Sequence, residues 1–158
     1  MTSNQKNLLV TGGAGFIGSN FINYIHNKYP DYNIQLLDAL TYAGNLENIV
    51  NGLKSNGHFR FSHGNVTHPD IVNQLVSDSD IVIHFAAESH VTRSIYDNSL
   101  FFETDVIGTQ VLANAIVNHP VERFIHISSS EVYGTALNVP MTEDHALNPM
   151  SPYAAAKA

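Results

Sequence analysis

A glycine-rich loop directly after the first apolar run restricts the fold of this chain more than any other feature. The run NLLVT, residues 7–11, leads into TGGAGFIG, where Gly12, Gly15 and Gly18 stand at the start of a helical pattern. Glycines at this spacing permit a tight turn, let the backbone approach a pyrophosphate and let helix and strand lie close together. The order strand, glycine loop, helix therefore predicts the first unit of a dinucleotide-binding sheet.

Four further apolar runs alternate with helical patterns along the rest of the chain. Strands are predicted at 34–38, 59–65, 80–87 and 123–129, and helices at 16–29, 45–53, 69–76 and 99–119. The run 80–87 is apolar on both faces, which is typical of a strand in a covered parallel sheet. Five strand–helix steps without a hairpin predict an α/β fold, a Rossmann-like doubly wound parallel sheet with right-handed crossovers.

Composition excludes several other classes of protein. The chain has 158 residues, 44% of them apolar, which is enough for one domain with its own core. A net charge of −7 and no cluster of Lys or Arg argue against nucleic acid or a membrane surface as partner. There is no cysteine for a disulfide or a thiolate zinc site. We see no segment of membrane-span length and no signal peptide, and we expect a cytoplasmic protein.

The second strand ends in an acid that selects between cofactors. Asp38 lies twenty positions beyond Gly18, where a carboxylate accepts both hydroxyls of the adenosine ribose and repels a 2′-phosphate. Residues 39–53 hold no Arg or Lys to bind such a phosphate. The pattern therefore predicts NAD rather than NADP.

Other contacts with the cofactor are expected at the carboxyl ends of the strands. Asn65 follows the third strand and is either a contact for adenine or a turn asparagine. Small residues after the fourth strand would let a flat cofactor lie against the backbone. The predicted cofactor contacts are Gly12, Gly15, Phe16, Ile17, Gly18, Asp38, Asn65, Ala86 and Ala87, with Tyr153 and Lys157.

A tyrosine and a lysine near the end of the chain provide a base. Tyr153 and Lys157 are four residues apart, so a helix places them on one face. A lysine ammonium beside a phenol stabilises the phenolate, which is then a usable base near neutral pH. Ser129, at the end of the fifth strand, is the candidate that holds the substrate hydroxyl group.

Five segments carry a resemblance to a known family. They are VTGGAGFIGSNF, LLDALTYAGNLENI, HFAAESHVTRSI, HISSSEVYG and SPYAAAKA. In order and spacing they resemble the extended short-chain dehydrogenase/reductases that act on nucleotide sugars, above all the dTDP-glucose 4,6-dehydratases. The resemblance covers essentially the whole chain. It implies a nucleotide-sugar substrate, NAD, a C-terminal sugar-nucleotide domain and usually a homodimer.

The resemblance also implies an internal redox reaction with a role for each residue. Tyr153 would take the proton of the sugar C4 hydroxyl while the C4 hydride passes to NAD. Ser129 matches the Ser/Thr of the family beside Tyr153 and Lys157, and Glu131 matches the glutamate that removes the C5 proton. Water then leaves from C6, and the hydride returns to that carbon. Ser89, His90 and Arg93 are expected near the nicotinamide and the sugar.

Three positions depart from the family. Ser130 stands where the dTDP-glucose enzymes usually have an aspartate that protonates the leaving C6 hydroxyl, so a water or Glu131 would supply that proton. Thr92 and Asp105 stand where relatives commonly have Asp and Asn. Other relatives have Ser/Thr-Ser-Glu before the Val-Tyr-Gly. The serine at position 130 therefore weakens the assignment of dTDP-glucose as substrate more than it weakens the assignment of nucleotide-sugar redox chemistry.

The histidines do not predict a metal site. His58, His63 and His68 are five apart, which matches one face of neither a helix nor a strand. His84 and His126 lie within apolar strands and are expected to be core residues with satisfied hydrogen bonds.

Several functions stay open at this point. A UDP-glucuronate decarboxylase also uses a Ser/Thr-Ser-Glu run, and a UDP-sugar 4-epimerase needs no C5 base. The sequence ends at Ala158 within a helical pattern that has no cap. We therefore expect residues 1–158 to be an incomplete NAD-binding Rossmann domain, apparently truncated before the substrate domain. A truncated NAD-binding module without turnover is the alternative outside enzymes.

Overall fold

A single parallel sheet forms the centre of the molecule. The computed structural model describes residues 5–55 and 57–158. Its five strands lie in the order β3-β2-β1-β4-β5 and are β1 Asn7–Thr11, β2 Asn33–Asp38, β3 Phe59–His63, β4 Ile81–His84 and β5 Arg123–His126. This order confirms the predicted Rossmann-like doubly wound sheet. The strand order reverses between β1 and β4, and a crevice for ligands opens at the carboxyl ends of the strands there.

Helices cover both faces of the sheet. The α-helices are α1 Phe16–Lys28, α2 Asn51–Lys54, α3 Pro69–Ser77, α4 Val91–Tyr96, α5 Ser99–Phe101, α6 Gly108–Asn118 and α7 Pro152–Lys157. Short 3₁₀ helices span Leu46–Asn48 and Ser130–Tyr133, and a π-helical segment spans Phe102–Ile107.

Alternating residues of the central strand point to two separate cores. Leu8 and Val10 belong to the core that includes Ile22 of α1, whereas Leu9 belongs to the core that includes Leu112 of α6. Because both faces of the strand are buried, its sequence is apolar without alternation. Each core fixes one layer of helices, so the loops at the carboxyl ends of the strands are held on rigid supports.

The helices between β2 and β3 and after β4 differ from the prediction. The helix predicted at 45–53 is divided, because Ile49 and Val50 are extended between a 3₁₀ turn and α2. Ile49 is fully buried there, so packing of this side chain against the sheet competes with continuous helix. No element was predicted for the segment that forms α4, which is a helix of six residues.

The long helix predicted at 99–119 is helical throughout but contains the π segment. Within it the hydroxyl of Thr109 donates to the carbonyl oxygen of Asp105 at 2.6 Å. A side chain that bonds into the backbone ladder is one known cause of local unwinding. Gly108, which follows the segment, lies where a Cβ atom would come within 2.5 Å of Val66 Cγ2, so the helix approaches its neighbour closely.

The same helical run corrects the expectation about membrane spans. Ser99–Asn118 has 20 residues and a mean hydropathy of 1.3, which by length and composition is enough to cross a membrane. In this fold Phe101, Leu112 and Ala115 of the run are buried. Core helices of α/β proteins pass the same test of length and hydropathy, so this is weak evidence for a span.

Candidate active site

The crevice at the carboxyl ends of the strands is a cleft of about 430 Å³. Many residues predicted from the sequence line it together: Gly12, Gly15, Phe16, Ile17, Gly18, Asp38, Asn65, Ala86, Ala87, Ser89, Tyr153 and Lys157. A second cleft of about 460 Å³ lies at the amino ends of the strands, around Asn7, Asn33 and Asp80. None of the residues predicted for the site line this second cleft.

The glycine loop leaves its backbone open to the cleft. Gly12 has a φ of 69°, and a Cβ atom on it would lie 2.5 Å from Ala86 Cα. A Cβ atom on Gly18 would lie 2.5 Å from the carbonyl oxygen of Gly12. Helix α1 begins directly after this loop and has no acidic side chain in its first turn. Its free N–H groups and its dipole therefore favour an anion at this point.

Asp38 joins the glycine loop to the end of β2. Its Oδ2 accepts a hydrogen bond from Ala14 N at 2.9 Å, and its Oδ1 accepts one from Leu40 N at 2.8 Å. A carboxylate oxygen accepts more than one hydrogen bond. The side chain is therefore fixed in place and still has lone pairs for the two hydroxyls of a ribose.

Asn65 has the hydrogen bond of a turn asparagine, and its contact with adenine stays a prediction. Its Oδ1 accepts a hydrogen bond from Thr67 N at 3.1 Å, so it is a turn asparagine. It also lines the cleft, beside Gly64 and Val66.

Tyr153 and Lys157 lie on one short helix whose start is well defined. Ser151 caps α7 by accepting from Ala154 N at 3.1 Å, and Pro152 occupies the first helical position. The Lys157 side chain is buried, and burial lowers the pKa of its ammonium group, while the nearby Asp105 carboxylate raises it. A buried lysine with a lowered pKa, on the same helix and in the same cleft as a tyrosine, is suited to support proton transfer.

The serine run after β5 divides into two kinds of residue. Ser128 lines the cleft, and its hydroxyl donates to the carbonyl oxygen of Lys157 at 2.9 Å. Ser129 caps the following 3₁₀ turn by accepting from Glu131 N at 3.2 Å. Ser129, Ser130 and Glu131 are not part of the cleft lining. The 3₁₀ turn that carries Ser130 and Glu131 packs against α7.

The predicted substrate residues belong to a network that the sequence did not predict. The Arg93 guanidinium lies 4.6 Å from the centroid of the Tyr42 ring and 3.9 Å from Glu88 Oε2. Tyr42 donates to the same Glu88 oxygen at 3.2 Å, and the His90 ring lies 5.6 Å from the Tyr42 ring. Glu88 is almost fully buried and lines the cleft. The network therefore joins the loop after β2 to the loop after β4.

One of the two strand histidines is satisfied and the other is not. His84 bonds to Thr11 Oγ1 at 2.6 Å and to Thr109 Oγ1 at 3.1 Å, and burial lowers its pKa to about 3. His126 Nδ1 is buried without a hydrogen-bond partner, so the expectation for this residue was wrong. Within residues 5–55 and 57–158, no three His, Asp or Glu side chains converge as metal ligands.

With this geometry in place, comparison with known proteins identifies the family. The family model for GDP-mannose 4,6 dehydratase matches residues 9–158. A low-salt glycan biosynthesis protein of Haloferax volcanii is 46% identical over 151 residues, which is 96% of this chain and 48% of that protein. The dTDP-glucose 4,6-dehydratase of Mycobacterium tuberculosis is 45% identical over 154 residues, 96% of this chain and 45% of that protein.

Solved structures give the same result. DesIV, the dTDP-glucose 4,6-dehydratase of Streptomyces venezuelae solved with NAD bound, matches with a TM-score of 0.88 at 44% identity, over 96% of this chain and 48% of that one. The UDP-N-acetylglucosamine 4-epimerase of Methanobrevibacter ruminantium matches with a TM-score of 0.88 at 31% identity, over 97% and 47%.

The chain spans about half the length of the curated relatives it matches. Within that span the family model matches from β1 to the end of α7, and the cleft contains the glycine loop, Asp38, Tyr153 and Lys157 in one place. The chain therefore belongs to the GDP-mannose 4,6 dehydratase family of extended short-chain dehydrogenase/reductases.

Proposed function

We propose that this chain forms the NAD-binding and catalytic part of a nucleotide-sugar 4,6-dehydratase, with dTDP-glucose as the favoured substrate. The observation that carries the proposal is the position of Tyr153 and Lys157, which line the same cleft as the glycine loop and Asp38. A proton-transfer pair thus lies within reach of a bound dinucleotide. Relatives named dTDP-glucose 4,6-dehydratase are 40–45% identical to the chain, which supports the choice of substrate.

The residues of the cleft fit NAD. The pyrophosphate would lie on the backbone of Gly12, Gly15 and Gly18 at the start of α1, where a Cβ atom on Gly12 or Gly18 would clash with backbone atoms. Asp38 would accept both ribose hydroxyls with the lone pairs that its two backbone hydrogen bonds leave free. Asn65, Ala86 and Ala87 line the remaining length of the cleft. The bound cofactor supplies a hydride acceptor for C4 of the sugar and a hydride donor for C6.

The first step assigned to the chain is deprotonation of the C4 hydroxyl. The phenolate of Tyr153 takes this proton, and the ammonium group of Lys157 stabilises the phenolate. Burial of Lys157 removes competing water, which strengthens this interaction. Ser129 would hold the same hydroxyl group, and Ser89, His90 and Arg93 would hold the sugar nucleotide. The 4-keto group that forms acidifies the C5–H bond.

Elimination requires a second base and an acid. Glu131 removes the C5 proton, the C6–O bond breaks, and the leaving hydroxide takes a proton and departs as water. Ser130 stands in the place of the usual acid, so Glu131 or a bound water supplies the proton. In support, the turn that carries Glu131 packs against α7, the helix of Tyr153.

The proposal also covers the domains, the oligomeric state and the location of the whole protein. We expect residues 1–158 to be the dinucleotide-binding domain, with the sugar-nucleotide domain elsewhere in the protein. A homodimer and a cytoplasmic location are expected from the resemblance. A 4-epimerase is the second candidate, because the epimerase of M. ruminantium has the same TM-score of 0.88 as DesIV, although at lower identity.

Identification of the product tests the proposal. The full-length protein with NAD is offered dTDP-glucose, UDP-glucose and UDP-glucuronate separately, and the products are assigned by NMR. We expect a 4-keto-6-deoxy sugar from dTDP-glucose. A pentose with release of carbon dioxide would identify a decarboxylase, and inversion at C4 without elimination would identify an epimerase. Either result would contradict the proposed function.

Replacement of Asp38 tests the choice of cofactor. In Asp38→Asn one side-chain oxygen and the negative charge are lost, so we expect the affinity for NAD to fall about 10-fold to 100-fold. The affinity for NADP should fall less, because the repulsion of a 2′-phosphate is removed as well. Calorimetric titration of both dinucleotides measures the change. Asp31→Asn, at an exposed acid, is the control, and an unchanged ratio of the two affinities in D38N would exclude this role.

A further inference from the structure

Asp105 is a buried acid with an unusual environment. It lies in the π-helical segment and is 2% exposed. Its Oδ1 accepts a hydrogen bond from Glu88 N at 2.8 Å, whereas its Oδ2 is buried and has no hydrogen-bond partner. Burial of an ionised oxygen without a partner is costly unless the group takes up a proton or faces a cation.

The backbone around Asp105 is held by a chain of hydrogen bonds across the sheet. The Thr109 hydroxyl donates its proton to Asp105 O, so it can only accept from His84 Nε2. His84 then carries its proton on Nε2, and its Nδ1 accepts from the hydroxyl of Thr11. This chain fixes the main chain of Asp105, and Glu88 N fixes its side chain. The carboxyl group therefore cannot turn out to solvent without breaking the network.

Lys157 is the cation whose charge acts on Asp105. Helix α7 packs against the π segment. The ammonium group of Lys157 lowers the pKa of Asp105, and the carboxylate of Asp105 raises the pKa of Lys157. Burial has the larger effect on the acid and raises the pKa of Asp105 to about 6. The carboxyl group therefore changes its charge close to neutral pH.

Few other charges act on this pair. Glu88, whose side chain lies near Arg93, opposes ionisation of Asp105. Tyr153 lies on α7 with Lys157. His84 and His126 face Lys157 from the sheet, and burial lowers the pKa of both, which favours the neutral rings. Helices α5 and α6, the other neighbours of the π segment, contribute no titratable side chain.

We propose that Asp105 is a positioning residue of the cleft, which acts through Lys157 by stabilising the ammonium form and so makes catalysis depend on the charge of this buried carboxyl group. The inference rests on the proposed function, because Lys157 acts there as the partner of Tyr153. Above the pH at which Asp105 ionises, the carboxylate keeps Lys157 protonated. Without that carboxylate, Lys157 loses its proton at a lower pH, and its support of the Tyr153 phenolate ends there.

The test compares Asp105→Asn with Glu103→Gln in the full-length protein. Asn keeps the shape and the acceptor for Glu88 N but carries no charge. Glu103 is an exposed acid on the same π segment, so E103Q removes a charge that Lys157 does not face. For D105N we expect the alkaline limb of the kcat/KM profile to move to lower pH by roughly half to one unit. For E103Q we expect the wild-type profile.

A second measurement does not depend on turnover. The folded-state pKa of Asp105 is raised above the unfolded value, so its contribution to stability is present below about pH 4 and is lost as the pH rises through about 6. We therefore compare the urea midpoints of unfolding of D105N and the wild type from about pH 4 to about pH 8. The difference between the two midpoints should change in favour of D105N as the pH rises to about 6, and it should stay constant above about pH 6. The difference in urea midpoint between E103Q and the wild type should show no such change between about pH 4 and about pH 6.

The outcomes separate the inference from the proposed function. A pH-independent difference in urea midpoint between D105N and wild type would overturn the inference whatever the protein catalyses. If the difference in midpoint changes with pH as expected but the kcat/KM profiles of D105N and the wild type coincide, the coupling to Lys157 would be overturned. If no nucleotide sugar is turned over, the proposed function fails, and the pH dependence of the dissociation constant for NAD replaces kcat/KM as the second measurement. A shift of that profile in D105N alone would then support the inference, and identical profiles would refute it.

Discussion

Replacement of Tyr153 by Phe is expected to lower kcat about 10³-fold, which corresponds to about 4 kcal/mol in the activation free energy. The change removes only the phenolic oxygen, the group to which proton transfer from the C4 hydroxyl is assigned. We expect the ring to stay in place, because its edge-to-face arrangement with Phe101, at a centroid distance of 6.4 Å, does not require the hydroxyl group. The backbone N of Tyr153, which donates to Ser94 Oγ, is unaffected.

The measurement separates chemistry from binding and from folding. Product formation from dTDP-glucose gives kcat, calorimetry gives the dissociation constant for NAD, and thermal unfolding gives stability. We expect the last two to change little in Y153F. Tyr96→Phe, at a ring that is 88% exposed, is the matched control and should keep wild-type turnover. If Y153F kept more than about a tenth of the wild-type kcat, another group would have to be the base.

In the proposed mechanism Tyr153 depends on Lys157, whose environment controls its charge. A buried ammonium group is costly, and burial lowers the pKa of Lys157, so the group needs compensation to stay charged. Asp105 supplies the compensating charge from the π segment, and Ile127 O lies 3.5 Å from Nζ. The proposed base would thus depend on three elements of the fold: α7, the π segment and the end of β5.

The sheet and the glycine loop could be predicted because their causes are local in the sequence. Strands such as β1 are buried on both faces and therefore appear as continuous apolar runs. The glycines from Gly12 to Gly18 follow a strand and open a helix, which gives their spacing its weight, and Asp38 lies twenty positions beyond Gly18. The Tyr153–Lys157 pair needs only the period of a helix.

The rest of the site depends on contacts between distant residues. The bond from Glu88 N to Asp105 joins residues 17 apart, and the bond from Ser128 to Lys157 O joins residues 29 apart. The π segment contains a backbone oxygen that accepts from the Thr109 side chain, whose other partner, His84, lies on β4. Periodicity contains no information about such partners. For the same reason the division of the predicted helix at 45–53 was missed, because burial of Ile49 against the sheet decides it.

Replacement of Gly12 by Ala is expected to abolish dinucleotide binding, with a loss of affinity of more than about 100-fold and a lower unfolding temperature. Gly12 has a φ of 69°, which costs a residue with a side chain roughly 1 kcal/mol or more. The new methyl group would lie 2.5 Å from Ala86 Cα, so the loop and the end of β4 must separate. Gly12 N donates to Leu37 O at 2.8 Å, and this bond resists the movement.

The displaced loop is the surface on which the pyrophosphate is proposed to lie, so strain and loss of binding have one cause. Gly52→Ala is the matched control, because a Cβ atom there meets nothing within 4 Å and Ala favours the helix. Calorimetry with NAD and thermal unfolding of G12A, G52A and the wild type measure the effect, and circular dichroism shows whether G12A is folded. A folded G12A that binds NAD within a few-fold of the wild type would show that the pyrophosphate lies elsewhere. A folded G12A without affinity for NAD would instead place the cofactor on the loop whose backbone only glycine leaves open.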